Sequence, residues 1–436
     1  MNVGIVTLGC SKNTVDSEMI LGFFKSNGYG ITNNPEECDI IIVNTCGFIS
    51  SAKKEAIDTI LEMADYKKNK CKSLIVTGCL AKRYKKEILE LIPEVDLVIG
   101  VDEYDNINEI LSKFLNQKFL TQKLDFNSRV ISTNFPLAYV RISDGCDNKC
   151  SYCAIPLIRG RFKSRKMEDI ILEAENLAKA GITEICIISQ DTTKYGYDIY
   201  KEYKLAELLR KLSKIEGIKW IRVLYMYTFE VTDELIDEIS KNDKICAYFD
   251  IPIQHGCDKI LKAMNRYDTK EKIYEITKKI RDKVPDAIIR TTVITGFPGE
   301  TYEDFLELKE LVKNVKFDRL GGFTYSKEED TIAYNMKGQV NEKVKKSRLK
   351  EILELQRGIS KELNSKRVGK TYEVIVENIT EDEKYFSCRS YMNAPDVDGR
   401  IFVKIDEESI NKAIIGEYCK VKITDYNEYD LFGKFI

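Results

Sequence analysis

Between residues 3 and 325 the chain repeats one unit, a short apolar run of strand length followed by a segment with helical spacing, and that repetition leaves few folds open. Runs at 3–8, 40–44, 74–77 and 97–99 read as buried parallel strands, with helices near 14–27, 50–66 and 82–92. This alternation predicts a doubly wound parallel α/β sheet over residues 1–117. Residues 118–136 are polar and irregular and read as a linker. The alternation then resumes, with strands at 138–142, 185–189, 221–226, 248–253, 288–294 and 320–325, so about six βα units suit a complete or partial (β/α) barrel. A charged helix follows at about 341–366. From 367 the style changes to five short strands without long helices, which predicts a small all-β barrel of the oligonucleotide-binding type. The expected domains are 1–117, 132–366 and 367–436.

The bulk numbers set limits on function. With 32% charged residues and a net charge of −2, no basic excess over the whole chain advertises nucleic acid. The opening MNVGIVTLGCSKN lacks the charged-then-apolar layout of a signal peptide, and no apolar run reaches the roughly 18 residues of a membrane span, so the expectation is a cytoplasmic, membrane-free protein, monomeric by default. Thirteen cysteines in a reducing compartment point to metal or redox chemistry rather than disulfides. The single histidine, His255, nearly removes His-based zinc sites and Ser–His or Cys–His catalysis.

The strongest signal is Cys146-Asp-Asn-Lys-Cys150-Ser-Tyr-Cys153, just after a predicted strand. Thiolates are the soft ligands iron–sulfur clusters need, and three of them leave one iron of a four-iron cluster open to a small molecule. A structural zinc site would want a fourth Cys or His nearby, and none lies within the next 30 residues. A second set is dispersed: Cys10, Cys46 and Cys79 each stand beside a glycine at the C-terminal end of a separate predicted strand, the edge of a parallel sheet where ligands bind. The remaining seven cysteines share no pattern and read as small core residues, Cys257 beside His255 being the least certain of them. Weaker candidates for holding a cofactor are Gln190, Gln254 and Arg290, read as strand-end polar groups on the barrel face, and Gly296 in a strand-to-helix turn. The basic cluster Arg159, Arg161, Lys163 and Arg165 reads either as an anion site or as a solvated face.

C-x3-C-x2-C after a strand and ahead of a barrel resembles the radical-SAM superfamily. GCSKN, NTCGFI and TGCL before it, with a small β-domain after it, are similar to the radical-SAM methylthiotransferases, in the right order over essentially the whole chain. SQDTTKYGYD, YFDIPIQHGCDKILKAMNR, DRLGGFTYSKEEDT and RSYMNAPDVDG resemble the branch of that family that modifies ribosomal protein S-twelve. The tRNA-modifying branch typically carries GQNVNSYG where this chain has SQDTTKYG. DRLGGF, EEDT and the GCD after Gln254-His255 depart from the usual branch pattern without touching the six cysteines.

The resemblance implies a TRAM domain for the C-terminal barrel and two 4Fe–4S clusters, one on Cys10, Cys46 and Cys79 carrying the sulfur to be inserted. The other, on Cys146, Cys150 and Cys153, would chelate S-adenosylmethionine, which serves as radical source and methyl donor. It also implies an aspartate β-carbon of the ribosomal protein as acceptor, with an external electron donor and sulfur donor, and two clusters that face one cavity. Residues 368–436 hold 9 Lys plus Arg against 14 Asp plus Glu, a net of −5 that suits a basic protein partner better than a phosphate backbone. The rival readings are a tRNA adenosine methylthiotransferase with the same chemistry, a non-catalytic iron–sulfur carrier and a zinc-stabilised binding module.

Overall fold

The computed structural model describes all residues 1–436. Its first sheet is parallel and runs in the order β2-β1-β3-β4-β5, with β1 at Asn2–Thr7, β2 at Gly30–Ile31, β3 at Ile40–Thr45, β4 at Ser73–Gly78 and β5 at Leu97–Gly100. The order reverses at β1, so the sheet is doubly wound and its ligand crevice lies at the C-terminal ends of β1 and β3. That reversal rests on β2, a two-residue edge strand too short to leave an apolar run in the sequence. The helix expected near 82–92 is two pieces, α3 at Cys79–Arg83 and a second at Lys85–Leu91, broken at Tyr84. Helices α1 (Ser11–Ser26) and α2 (Ser50–Ala64) fall where expected.

The stretch read as a linker is a strap packed on α1. A Cβ at Gly22 would collide with the Ser128 carbonyl, so only glycine admits the strap there. Arg129, buried in the strap, pairs with Glu18 of α1 at 3.0 Å and with Glu173 at 2.9 Å.

Six parallel strands then form two three-stranded sheets. The first joins β6 (Leu137–Arg141), β9 (Glu184–Ile188) and β10 (Trp220–Val223), and the second joins β11 (Tyr248–Asp250), β12 (Ile288–Thr295) and β13 (Arg319–Thr324). A parallel bridge from Ile221 to Ile245 links the two sheets, and β13 does not pair with β6, so the barrel is partial. A short antiparallel pair, β7 (Ser143–Asp144) with β8 (Lys163–Ser164), projects from it. The closing helix Glu342–Ser365 lies on β12 and β13.

The C-terminal strands β14 (Thr371–Ile379), β15 (Tyr385–Ser390), β16 (Ile401–Lys404), β17 (Tyr418–Tyr426) and β18 (Leu431–Phe435) close into a barrel in the order β14-β15-β16-β18-β17. Alternating residues such as Val374, Val376, Ile401, Val403, Val421 and Ile423 fill it. It docks under the partial barrel, at the N-terminal ends of the parallel strands. The stretch RSYMNAPDVDG makes much of that joint: Arg222 donates to the Tyr391 and Ser390 carbonyls, and the Tyr248 hydroxyl donates to Asp398 at 2.6 Å. Glu184 at the start of β9 takes Arg222 and Arg389 together, all three side chains wholly buried. No helix of the protein is long and apolar enough to cross a membrane.

Candidate active site between the first sheet and the barrel mouth

Each cysteine of the dispersed set stands where a strand of the first sheet gives way to a helix. Cys10 immediately precedes α1, Cys46 directly follows β3, and Cys79 opens α3. A Cβ at Gly9 would stand 2.7 Å from Cys46 Cβ, so the turns after β1 and β3 touch, and glycine at φ +93° is what lets them. Asn13 ties the three turns together. Its Nδ2 donates to the carbonyls of Leu8 (2.8 Å) and Thr45 (3.2 Å), and its Oδ1 lies 3.8 Å from Cys79 Sγ. Burial pushes the Cys79 thiol up to about 12 and raises Cys46. Burial would raise Cys10 too, but the Lys12 ammonium and the Arg159 guanidinium outweigh it and bring this thiol below its ordinary value.

Cys146, Cys150 and Cys153 occupy one loop whose base is clamped by the β7–β8 pair. Cys146 N–H donates to Gly160 O at 3.2 Å, and Cys153 N–H to Cys150 O at 3.0 Å. At Gly145, φ +70°, a Cβ would collide with the Arg161 carbonyl. Burial pushes Cys146 up to about 12 and raises Cys153, each thiol's neighbours in the set adding to the effect.

The structure brings the two sets onto touching elements. Cys79 packs against Ala154 and Ile158, in the helix-forming segment just past Cys153. Arg159, from the same segment, reaches into the first set: its Nη2 donates to Asn13 Oδ1 (2.9 Å) and Asp16 Oδ2 (2.6 Å), and its Nη1 to Asp144 Oδ2 (3.2 Å). Arg141 binds the other oxygen of Asp16 at 2.5 Å. On the far side Glu328, in the loop after β13, takes Lys53 at 2.8 Å and Arg83 at 3.2 Å from the first sheet's helices. Two ion clusters therefore brace the first sheet over the C-terminal ends of the barrel strands, the face on which active sites of such barrels are built.

Three family models match the chain in sequence: the uncharacterized protein family UPF0004 over residues 2–100, the radical SAM superfamily over 140–312 and the TRAM domain over 368–436. Among curated proteins, the chain is 51% identical over 435 residues to the ribosomal protein uS12 methylthiotransferase RimO of Alkaliphilus oremlandii, covering 100% of this chain and 99% of that one. It is 49% identical over 438 residues to the protein of the same name from Clostridium novyi, covering 99% and 97%. The chain belongs to the RimO family.

Among solved structures, the radical S-adenosylmethionine methyltransferase TsrM of Kitasatospora setae superposes with a TM-score of 0.54 at 12% identity, over 74% of this chain and 72% of that one. The cobalamin-dependent S-adenosylmethionine radical enzyme OxsB superposes with a TM-score of 0.52 at 11% identity, over 81% and 56%. At such identities these likenesses concern the fold.

The weaker candidates scatter within this RimO-family framework. Gln190 stands at the barrel mouth beside the cysteine loop, its Nε2 donating to Asp144 Oδ1 at 3.1 Å while its Oε1 is buried without a partner. Gln254 also lies past a strand end, in left-handed backbone at φ +66°. Arg290 does not share that edge. It is the third residue of β12, ion-paired with Asp250 at 2.7 Å and 3.8 Å from Asp398 of the C-terminal barrel, so the expectation of a strand-end group is corrected. At Gly296 the N–H already donates to Glu300 Oε2 at 2.8 Å, and a Cβ would collide with the Lys345 stem, so this glycine serves a packed turn. His255 is wholly buried, its Nδ1 accepting from Cys257 N–H and its Nε2 facing Glu300. Cys257 donates to Asp304 (3.3 Å) and Glu307 (3.4 Å). Three members of the basic cluster go into pairs, Arg159 with Asp16 and Asp144, Arg161 with Asp147, Arg165 with Glu173, while Lys163 is exposed. Lys12, Asn13, Asp16 and Arg159 carry much of the site; sequence reasoning singled out Arg159 only as one of the basic cluster and passed over the other three as site residues. The signal available was a basic residue six positions beyond Cys153 and polar residues in the first turns of α1.

Two carboxylates meet at the mouth. Asp191 Oδ1 and Glu230 Oε2 both face the Thr193 hydroxyl, at 2.7 and 3.5 Å. Burial and the neighbouring Asp191 push Glu230 up to about 8. A carboxyl raised in the folded state stabilises the fold fully below its unfolded value near 4.5, and the benefit is lost as pH rises through about 8. Glu230→Gln should therefore flatten the decline of melting temperature between about pH 5 and 8, and stand above the parent at pH 8.5. Parallel slopes for the two proteins would mean that Glu230 ionises normally.

Proposed function

We propose that this protein is a radical-SAM methylthiotransferase that forms β-methylthio-aspartate on ribosomal protein uS12. The observation that carries the reading is the meeting of two three-thiol sets, one at the C-terminal edge of the first sheet and one at the barrel mouth, across Cys79, Ala154 and Ile158. Three thiols with glycine-tight turns, too few to close a four-iron cluster, fit a cluster with one open iron.

In this reading Cys10, Cys46 and Cys79 hold one 4Fe–4S cluster, and Cys146, Cys150 and Cys153 hold another at which S-adenosylmethionine binds. Bound there, these groups supply a carbon-centred radical, a sulfur atom and a methyl group. The chain's own work is placement. Asn13 fixes the spacing of the first three turns, and Arg159 holds the loop past Cys153 against α1. Gln190 offers its unpartnered oxygen at the mouth as a cofactor contact, with Gln254 on the same edge.

The working division is 1–117 for the sulfur-carrying domain, 132–366 for the radical-SAM core and 367–436 for the TRAM domain. The protein acts as a cytoplasmic monomer and draws on an external electron donor and sulfur donor. The charge of the TRAM barrel supports a basic protein substrate: Arg389, Arg400, Glu377 and Asp398 are tied up in ion pairs or hydrogen bonds, as are Glu373, Glu428, Asp382, Glu408, Lys384 and Lys412, and the remaining 5 bases against 8 acids still leave an acidic excess.

The test uses anaerobically reconstituted protein with S-adenosylmethionine, sulfide and a strong reductant. It is offered uS12 and unmodified tRNA in parallel and read by mass spectrometry. Added methylthio on an aspartate of uS12 alone is the expected result. Addition to a tRNA adenosine alone would keep the chemistry and overturn the substrate.

A further inference from the structure

Lys12 is 7% exposed, yet it makes no hydrogen bond or ion pair with any protein group. Its Nζ lies 3.4 Å from the ring centroid of Tyr225, a residue just past β10 at the barrel mouth. An aromatic face orients an ammonium without neutralising it. The carboxylates of the surrounding framework are taken: Asp16, one turn along α1, by Arg141 and Arg159, and Asp250, which accepts Tyr225 N–H, by Arg290. Tyr225 itself is held in left-handed backbone at φ +63°, costly for a bulky residue, so its ring position is imposed by the surrounding structure.

The location makes the cation stranger still. Lys12 sits in the first turn of a 16-residue helix that has no acidic residue there, where the helix dipole already presents positive charge. Beside it Ser11 Oγ is buried with no partner. A buried cation held on the Tyr225 ring and a helix N-terminus thus lie together beside Cys10, whose thiol the same ammonium draws below its ordinary value, and the framework offers the cation no carboxylate.

We propose that Lys12 binds the carboxylate of the acceptor aspartate and so holds its β-carbon between the two sets. This rests on the functional reading above. The acceptor named there carries a carboxylate one bond from the carbon to be modified, so an ammonium fixed on the Tyr225 ring would position the reacting atom directly. Lys12 would also exclude a neutral nucleobase, because an empty site leaves a buried ammonium uncompensated.

The experiment uses the reconstituted full chain with uS12 and with uS12 whose acceptor aspartate is replaced by asparagine. It compares the parent with Lys12→Met and Lys12→Arg, and records iron and sulfide content and the electron paramagnetic resonance spectra of every preparation. Lys12→Met should lose roughly ten- to hundredfold in kcat/KM for methylthio-uS12, the loss typical of a hydrogen bond to a charged group, with cluster content and spectra unchanged. Lys12→Arg should recover part of that loss. The asparagine acceptor should be poor for the parent and no worse for Lys12→Met. Full activity of Lys12→Met overturns the assignment. A changed spectrum or iron content in Lys12→Met overturns it in favour of a counter-ion for the cluster on Cys10. If the parent gives no product on uS12, the functional reading itself falls, which the parent lane alone reveals.

Discussion

Cys150→Ala is expected to end S-adenosylmethionine cleavage, whereas Cys46→Ala should leave cleavage running and stop methylthio transfer. The two thiols belong to different structural units. Cys150 lies in the loop clamped by β7 and β8, and Cys46 in a turn of the first sheet held by Asn13 and Gly9. Each scaffold is anchored by contacts the other substitution leaves alone: the Cys146 N–H to Gly160 bond in one case, and the Asn13 bonds to Leu8 and Thr45 in the other. Removing one of three thiolates should therefore cost one cluster, about half the bound iron, while the other site keeps its geometry. Both readouts come from the same reaction, 5′-deoxyadenosine by chromatography and methylthio-uS12 by mass spectrometry. Cys257→Ser provides the contrast. That thiol only donates to Asp304 and Glu307, a hydroxyl can do the same, and both readouts should stay at the parent level. Full methylthio product from Cys46→Ala would end the division of labour between the two sets.

Glu184→Gln is expected to cost about 3–5 kcal/mol of stability, because it strips the shared anion from two buried arginines. Glu184 takes Arg222 at 3.1 Å and Arg389 at 2.6 Å, and none of the three side chains is exposed. Arg389 would retain Glu377 at 2.9 Å, but Arg222 would be left with the carbonyls of Ser390 and Tyr391. The amide cannot substitute, since one of its two ends would present a donor to guanidinium donors. The damage should concentrate at the joint between the partial barrel and the TRAM barrel. Several domains unfold here, so the appropriate measurements are the first denaturant midpoint and hydrogen exchange in 385–400. Replacing all three residues with Leu, Met and Met should recover part of the loss, because the buried charges go together while the Ser390 and Tyr391 carbonyls lose the Arg222 donors. An unchanged midpoint in Glu184→Gln would mean that the apolar contacts alone hold the TRAM barrel in place.

The sequence by itself determined the elements and the six thiols. Strand-length apolar runs, helical spacing between them and C-x3-C-x2-C are properties of neighbouring residues, and folding preserved them: β1, β3, β4, β5 and the six barrel strands stand within a few residues of where periodicity puts them. Glycine beside each dispersed cysteine was legible for the same reason, since a tight turn needs glycine wherever it occurs. Only the tertiary structure decided the rest. β2 is two residues long and exists because β1 offers it an edge, yet it sets the reversal of strand order that places Cys10 and Cys46 at the crevice. The supposed linker became a strap anchored on α1 through buried Arg129 because Gly22 and Glu18 admit it there. That Arg290 lies within β12 against Asp250, and that the Gly296 N–H bonds Glu300, are likewise matters of packing that spacing along the chain does not carry. Asp16 meets Arg159 across 143 residues of sequence, and Lys12 meets Tyr225 from another part of the chain altogether. Which charge finds a partner, and which is left waiting for one, depends on burial and distance, and neither is a property of spacing along the chain.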